Sequence, residues 1–141
     1  MNRRMEIKPR PEQQPAPEDI TPKVTLGDDG ILRIDFSQYD RITLASIQYV
    51  HARHIALCPD RKIPALIKGK GVASVEYKAQ RYLSSPEVAA GISAGAIVVR
   101  SFLERHLARM FLIYHRPPYP VQVFSDEVDA LAWLRGFPPS A

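Results

Sequence analysis

From residue 23 onward, apolar and polar positions form segments typical of strands in alternation with segments typical of helices. Residues 24–26 and 31–36 predict two strands of a β-hairpin. The Gly27-Asp-Asp-Gly30 sequence between them supplies the residues that a tight turn prefers. Strict alternation in the second strand assigns one face to the core, formed by Leu32, Ile34 and Phe36.

The next segment predicts a long helix followed by a buried strand. Apolar spacing favours a helix over residues 44–58, for which either Asp40 or Thr43 offers a side-chain oxygen as the N-cap. Pro59 ends this helix because it cannot continue the backbone hydrogen bonds. The short apolar run at 62–67 is compatible with a buried strand.

A glycine-rich bend at 68–71 leads into a second helix, which we predict over residues 74–83. Ser85-Pro86-Glu87 then begins a short helical turn, with serine as the cap and proline at the first helical position, and Gly91 ends it. Small residues dominate 94–99, which favours a strand in the middle of a sheet.

The fourth helical segment begins after Ser101 and ends before Pro117, and residues 121–124 predict the last strand. Apolar residues recur in this helix at helical spacing and predict a stripe that faces the core: Leu103, Leu107, Met110 and Tyr114.

The final helix has strong local signals at both ends. Ser125 is the expected N-cap, and Gly136 is expected in the left-handed conformation that closes a helix, with Phe137 folded back on the last turn. Trp133 is expected to be partly buried beside the inward stripe, formed by Val128, Leu131, Ala132 and Leu134.

The order of elements is therefore β-β-α-β-α-β-α-β-α, which predicts an α/β fold: a mixed, mostly parallel sheet flanked by helices. Residues 23–141 are expected to form one such domain, since the whole chain has 141 residues. Residues 1–22 contain five of the thirteen prolines and few large apolar residues, so we expect a flexible, proline-rich tail.

Composition excludes several classes of protein. Nineteen basic and fifteen acidic residues give a net charge of +4, so a dedicated nucleic-acid binder is not expected. A single cysteine is too few for a disulfide framework or a cysteine-based zinc site. No apolar stretch approaches the ~20 residues of a membrane helix. No apolar segment follows Arg3 and Arg4 as it would in a secretory signal, and we expect a cytoplasmic protein.

Three stretches, 63–72, 79–83 and 120–134, together with this order of elements, carry a resemblance to a known fold. The chain resembles the STAS domains of anti-sigma-factor antagonists. It is more similar still to STAS-like, SpoIIAA-like bacterial domains of unknown function, whose fold is similar to that of CRAL-TRIO lipid-transfer domains. The antagonists carry a phosphorylated Asp-Ser-Ser-Gly motif. That motif is absent here, and Ser74 lies a few positions before the corresponding place.

The bend after the third predicted strand is the first candidate for a binding site. It joins a strand to a helix N-terminus, where backbone N–H groups and nearby ammonium groups can hold an anion or a partner. The alternative is an ordinary glycine-rich turn with solvated lysines. The residues of this candidate site are Lys68, Gly69, Lys70, Gly71 and Ser74.

A second candidate is the basic face that Arg105 and Arg109 share on the fourth helical segment. It is either a solvated face or a docking surface for an acidic protein partner. That partner is unidentified, and a homodimer is a further alternative.

The phosphate-binding Gly-x-x-x-x-Gly-Lys pattern is missing from the sequence. The pattern Gly-x-Ser-x-Gly occurs once, as Gly91-Ile-Ser93-Ala-Gly95, but it leads into the strand predicted at 94–99, whereas a catalytic serine of this motif lies on a turn from a strand into a helix. His51 and His54 are three residues apart on one helix, but no metal-binding motif accompanies them. We therefore expect no metal, no cofactor and no enzymatic activity unless His51 or His106 meets an acid in space. The sequence favours a regulatory or protein-interaction domain. The alternative is a binder of a small apolar ligand or anion, which a deep apolar cavity would favour.

Overall fold

The computed structural model describes residues 21–139. Within them the strands are β1 (Lys23–Leu26), β2 (Leu32–Asp35), β3 (Arg41–Ile42), β4 (Ile63–Lys68), β5 (Ser74–Val75), β6 (Ile92–Val98) and β7 (Val121–Phe124). The helices are α1 (Leu44–Leu57), α2 (Tyr77–Leu83), α3 (Pro86–Ala89), α4 (Phe102–His115) and α5 (Glu127–Leu134). The predicted tail, residues 1–22, lies outside the described residues except for its last two.

Five strands form the main sheet in the order β1-β2-β4-β6-β7. β1 is antiparallel to β2 and every other neighbouring pair is parallel, so the predicted mixed, mostly parallel sheet is confirmed. Gly95 lies in β6 between Ala65 of β4 and Val121 of β7.

The local signals that end elements explain why these segments fold as they do. Gly30 closes the first hairpin with a φ of 81°, as the Asp-Gly sequence predicts. The Thr43 side chain caps α1 and the Ser101 side chain caps α4, each in a reciprocal capping box with the residue three positions later. Ser85 caps α3, and its oxygen accepts from the Val88 N–H at 3.4 Å.

Each face of the sheet carries its own core. On one face, Leu32, Ile34 and Phe36 pack with α1 and α2, which confirms the predicted core side of β2. On the other face, α5 buries Ala130 and Leu134 against the small residues of β6. Trp133 is partly buried there, as expected, and its ring lies 4.8 Å from that of Phe137.

Several predicted details at the ends of helices are wrong. Ser74 and Val75 form a strand paired with β3 rather than the start of a helix, because Arg41 and Ile42 satisfy their backbone groups. The cap of α5 is Asp126 rather than Ser125: its carboxylate accepts from the Val128 N–H at 2.9 Å, whereas the Ser125 hydroxyl accepts from Arg105.

The end of α5 also differs from the prediction. Gly136 does not have the positive φ of a left-handed helix cap. Its N–H donates to the Trp133 carbonyl at 3.1 Å, which continues the last turn of the helix. Val128 is 69% exposed and Ala132 is exposed, so the inward stripe consists of Ala130, Leu131 and Leu134.

The largest departure concerns α4. Leu103 is 62% exposed and Tyr114 is 74% exposed, and no residue of this helix is buried. The expected core stripe is therefore wrong. The physical reason is that a cavity separates α4 from the centre of the sheet, and the helix packs mainly against the edge strand β7 and against α2.

Candidate functional site

A cavity of about 430 Å³ lies between one face of the main sheet and helices α1, α2 and α4. Its sheet side is formed by apolar residues of β2, β4 and β6: Ile34, Ile67 and Ile97. Its helix side includes Ile47 of α1 and Leu83 of α2, together with Leu107 and Phe111 of α4. This volume and this apolar lining are typical of small-molecule sites, which occupy about 300–1,000 Å³.

Gly95 keeps the centre of this sheet face open. A Cβ at this position would lie in ordinary contact with the side chains of Tyr119 at 3.6 Å, Val121 at 3.7 Å and Ile67 at 3.8 Å. All three neighbours line the cavity, so a larger side chain at position 95 would project among them. A glycine within a strand often marks a place of close approach, and this one leaves space where a residue of β6 would otherwise fill it.

The cavity reaches the carboxyl ends of the parallel strands, where sites in such sheets gather. Gly69 follows β4, Val99 follows β6, and both line the cavity together with Ser74. The structure thus brings Gly69 and Ser74, two residues of the predicted loop site, to the edge of the cavity.

One backbone donor of that loop, the Gly71 N–H, binds an acid of the same chain together with two backbone donors that lie just before α4. The carboxylate of Glu104 accepts from the N–H groups of Gly71 at 3.0 Å, Arg100 at 2.8 Å and Ser101 at 3.4 Å. Burial alone would raise the pKa of Glu104, but these hydrogen bonds and the charge of Arg100 outweigh it, so the pKa lies below its usual value. The loop therefore does hold an anion, and that anion is a carboxylate of the same chain.

The lysines of the loop do not share the cavity. Lys68 follows Ile67 in the strand and points to the opposite face, where its Nζ lies 3.4 Å from a carboxylate oxygen of Glu127. Lys70 is half-buried and does not line the cavity. An external anion or partner at Lys68 to Ser74 stays a prediction.

The alternative docking face, formed by Arg105 and Arg109, lies on α4. Arg105 donates a hydrogen bond to the Ser125 hydroxyl, which ties α4 to the start of α5, whereas Arg109 is exposed. The exposed surface of α4 carries large apolar residues as well, since Phe102 is 88% exposed. A docking role for Arg105 and Arg109 stays a prediction.

One histidine does meet an acid. His51 Nε2 lies 3.4 Å from a carboxylate oxygen of Glu87, which also accepts from the Tyr82 hydroxyl at 3.0 Å. His51 Nδ1 has no hydrogen-bond partner among residues 21–139, and these residues contain no group of three or more acidic, histidine or cysteine side chains that could hold a metal ion. His54, one turn away, is buried, and its Nε2 has no hydrogen-bond partner among the described residues.

The sequence analysis missed the residues that shape the cavity, above all Gly95 and Glu104. The signal for Glu104 was available: Ser101-x-x-Glu104 is a capping-box pattern. The signal for Gly95 was weaker, because a small-residue strand equally favours tight packing at the centre of a sheet.

Comparisons with known proteins identify relatives of unknown function. A family model described as a domain of unknown function (DUF7793) matches residues 25–138. One similar solved structure is an uncharacterised DUF3478-family protein from Shewanella loihica PV-4, which has a SpoIIAA-like fold. It aligns with a TM-score of 0.55 and 17% sequence identity, and the alignment covers 81% of this chain and 92% of that chain. This likeness shows the SpoIIAA-like fold, so the predicted fold is confirmed.

A protein of unknown function from Arthrobacter sp. FB24 is 34% identical, with 79% of this chain and 97% of that chain covered and a TM-score of 0.32. No curated protein matches the sequence. Among the described residues, no helix combines the length and the apolar character needed to cross a membrane.

Proposed function

This chain belongs to the DUF7793 family, a domain of unknown function, and we propose that it is a non-enzymatic domain that binds a small apolar molecule in the cavity beneath α4. The observation that carries the proposal is the cavity itself, about 430 Å³ in volume and lined mainly by aliphatic and aromatic side chains. Among the described residues, two packed cores lie on the two faces of the sheet, and side chains cap α1, α3, α4 and α5.

The energetics of burial support this role. Each methylene group that moves from water into such a cavity contributes about 0.8 kcal/mol, so a chain of a few carbons gains several kcal/mol. The exposed side chains of Leu107 and Tyr114 at the helix side would lose contact with water when a ligand fills the space beneath them.

A neutral fluorescent probe, N-phenylnaphthylamine, tests the proposal directly. We expect its emission to increase on binding, and Ala108→Phe to weaken binding about tenfold or more, because the new ring enters the cavity from α4. Ala132→Phe is the matched control: it adds the same ring to an exposed helix position on the other side of the sheet. Probe binding that is absent, or equal in the two variants, would contradict the proposal.

A second candidate is the protein-interaction role, which the exposed apolar surface of α4 favours. Phe102, Leu103 and Ile113 are all more than half exposed on this helix, and apolar residues clustered on a surface often mark contacts with other proteins. Sedimentation equilibrium tests the case in which the partner is a second copy of the chain. Self-association that Phe102→Glu abolishes would support it, and a monomer at every concentration would refute this case.

A further inference from the structure

On the basis of the ligand-binding function proposed above, we propose that the cavity selects uncharged apolar molecules against anionic or cationic molecules of the same length. This inference rests on which charged residues line the cavity. Glu104 is the single charged residue among the described residues of the lining, which include no lysine, arginine or histidine.

An anionic ligand would find no partner inside. The nearest lysine in the strand order, Lys68, lies on the opposite face of the sheet and is paired with Glu127. Arg100 is exposed, and its charge already acts on the Glu104 carboxylate. A carboxylate drawn into the cavity would therefore lose its hydration without gaining an ion pair, which is strongly unfavourable.

A cationic ligand would gain little, although Glu104 is an acid. Its carboxylate already accepts three hydrogen bonds, one on Oε2 from the Gly71 N–H and two on Oε1 from the N–H groups of Arg100 and Ser101. About one acceptor position is left, on Oε2, so an ammonium group would recover one hydrogen bond for the hydration that it loses on entry.

A neutral polar group is better matched to the cavity wall. Ser74 is one of the lining residues, at the exposed edge of the cavity, and its hydroxyl can both donate and accept. Gln80 also lines it: its Nε2 donates to the Val75 carbonyl at 3.0 Å, and its amide oxygen is an acceptor. Tyr119 also lines the cavity, and its hydroxyl donates to the Leu83 carbonyl at 3.0 Å. The phenol is uncharged at neutral pH, and burial raises its pKa further, to about 12. An alcohol or a similar uncharged head can therefore be hydrogen-bonded where an ion cannot be paired.

Displacement of bound N-phenylnaphthylamine at neutral pH tests this selectivity with three molecules of equal length: decanol, decanoate and decylamine. We expect decanol to displace the probe at a concentration about tenfold or more below that required of either ion, since 1.4 kcal/mol corresponds to a factor of ten. Decanoate or decylamine displacing the probe as readily as decanol would overturn the inference while leaving the apolar site in place. If the probe itself fails to bind, the proposed function fails instead.

A variant that supplies the missing cation tests the cause of the selectivity. Met110→Lys places an ammonium group on the part of α4 that lines the cavity, on a side chain of similar length. It lies six positions from Glu104, beyond the spacing of three or four residues at which a glutamate and a lysine pair on one helix. We expect decanoate to gain at least about tenfold relative to decanol in this variant, and Ala132→Lys to leave the ratio unchanged. Retained decanol binding shows that the variant is folded. An unchanged ratio in a variant that still binds decanol would overturn the inference.

Discussion

Burial of His54 makes the stability of this fold depend on pH in a defined direction. The residue is 2% exposed, and its Nε2 has no partner among the described residues. Burial and the charge that forms on His51 lower the pKa of His54, against a backbone hydrogen bond with Gly91 that raises it. The folded state therefore holds the imidazole neutral at pH values at which the unfolded chain, with a pKa of about 6.5, already binds a proton.

The size of the effect follows from this difference in bound protons. Well above pH 6.5 neither the folded nor the unfolded state is protonated at His54, and protonation of this residue does not reduce the free energy of unfolding. As the pH falls from there toward the folded pKa, the unfolded state binds more protons. The free energy of unfolding then falls by up to about 1.4 kcal/mol for each pH unit.

Urea unfolding at a series of pH values, in the wild type and in His54→Gln, measures this contribution. The glutamine removes the titration and retains an N–H donor for the Gly91 carbonyl. We expect the wild type to lose stability more steeply than the variant below about pH 6.5. His106→Gln, which removes an exposed histidine from α4, is the matched control. Parallel profiles for the wild type and His54→Gln would refute the reasoning.

Two further predictions concern residues that do not line the cavity: Phe137, and the two lysines of the bend at 68–71. Phe137→Ala removes one of the rings that pack on Trp133, so we expect a red shift of tryptophan emission and a loss of about 1 kcal/mol in urea unfolding; unchanged emission would contradict the packing. The double change Lys68→Glu and Lys70→Glu is expected to weaken binding of an acidic peptide or of inorganic phosphate. Its cost in stability should be at most about 1 kcal/mol, since the pair with Glu127 is partly exposed. Unaltered binding would exclude the loop as the site.

The sequence by itself determined those parts of the fold that depend on neighbours within four residues. The Asp29-Gly30 turn, the Thr43 and Ser101 caps and the Pro86 helix start form from contacts that the local chain supplies. The order of elements then restricts the topology, because parallel strands joined by helices have few ways to connect. These features were predictable before any tertiary contact was known.

Only the tertiary structure decided how far each apolar face is buried. The stripe on α4 has the spacing of a core helix, but spacing cannot reveal whether the sheet lies in contact with it or beyond a cavity. Likewise, Glu104 reaches the Gly71 N–H across 33 positions of sequence, and β3 pairs with β5 over a similar separation. The spacing of apolar residues indicates which face of its own helix or strand a side chain lies on. What it meets there depends on distant segments, and in this protein those segments leave a cavity beneath α4.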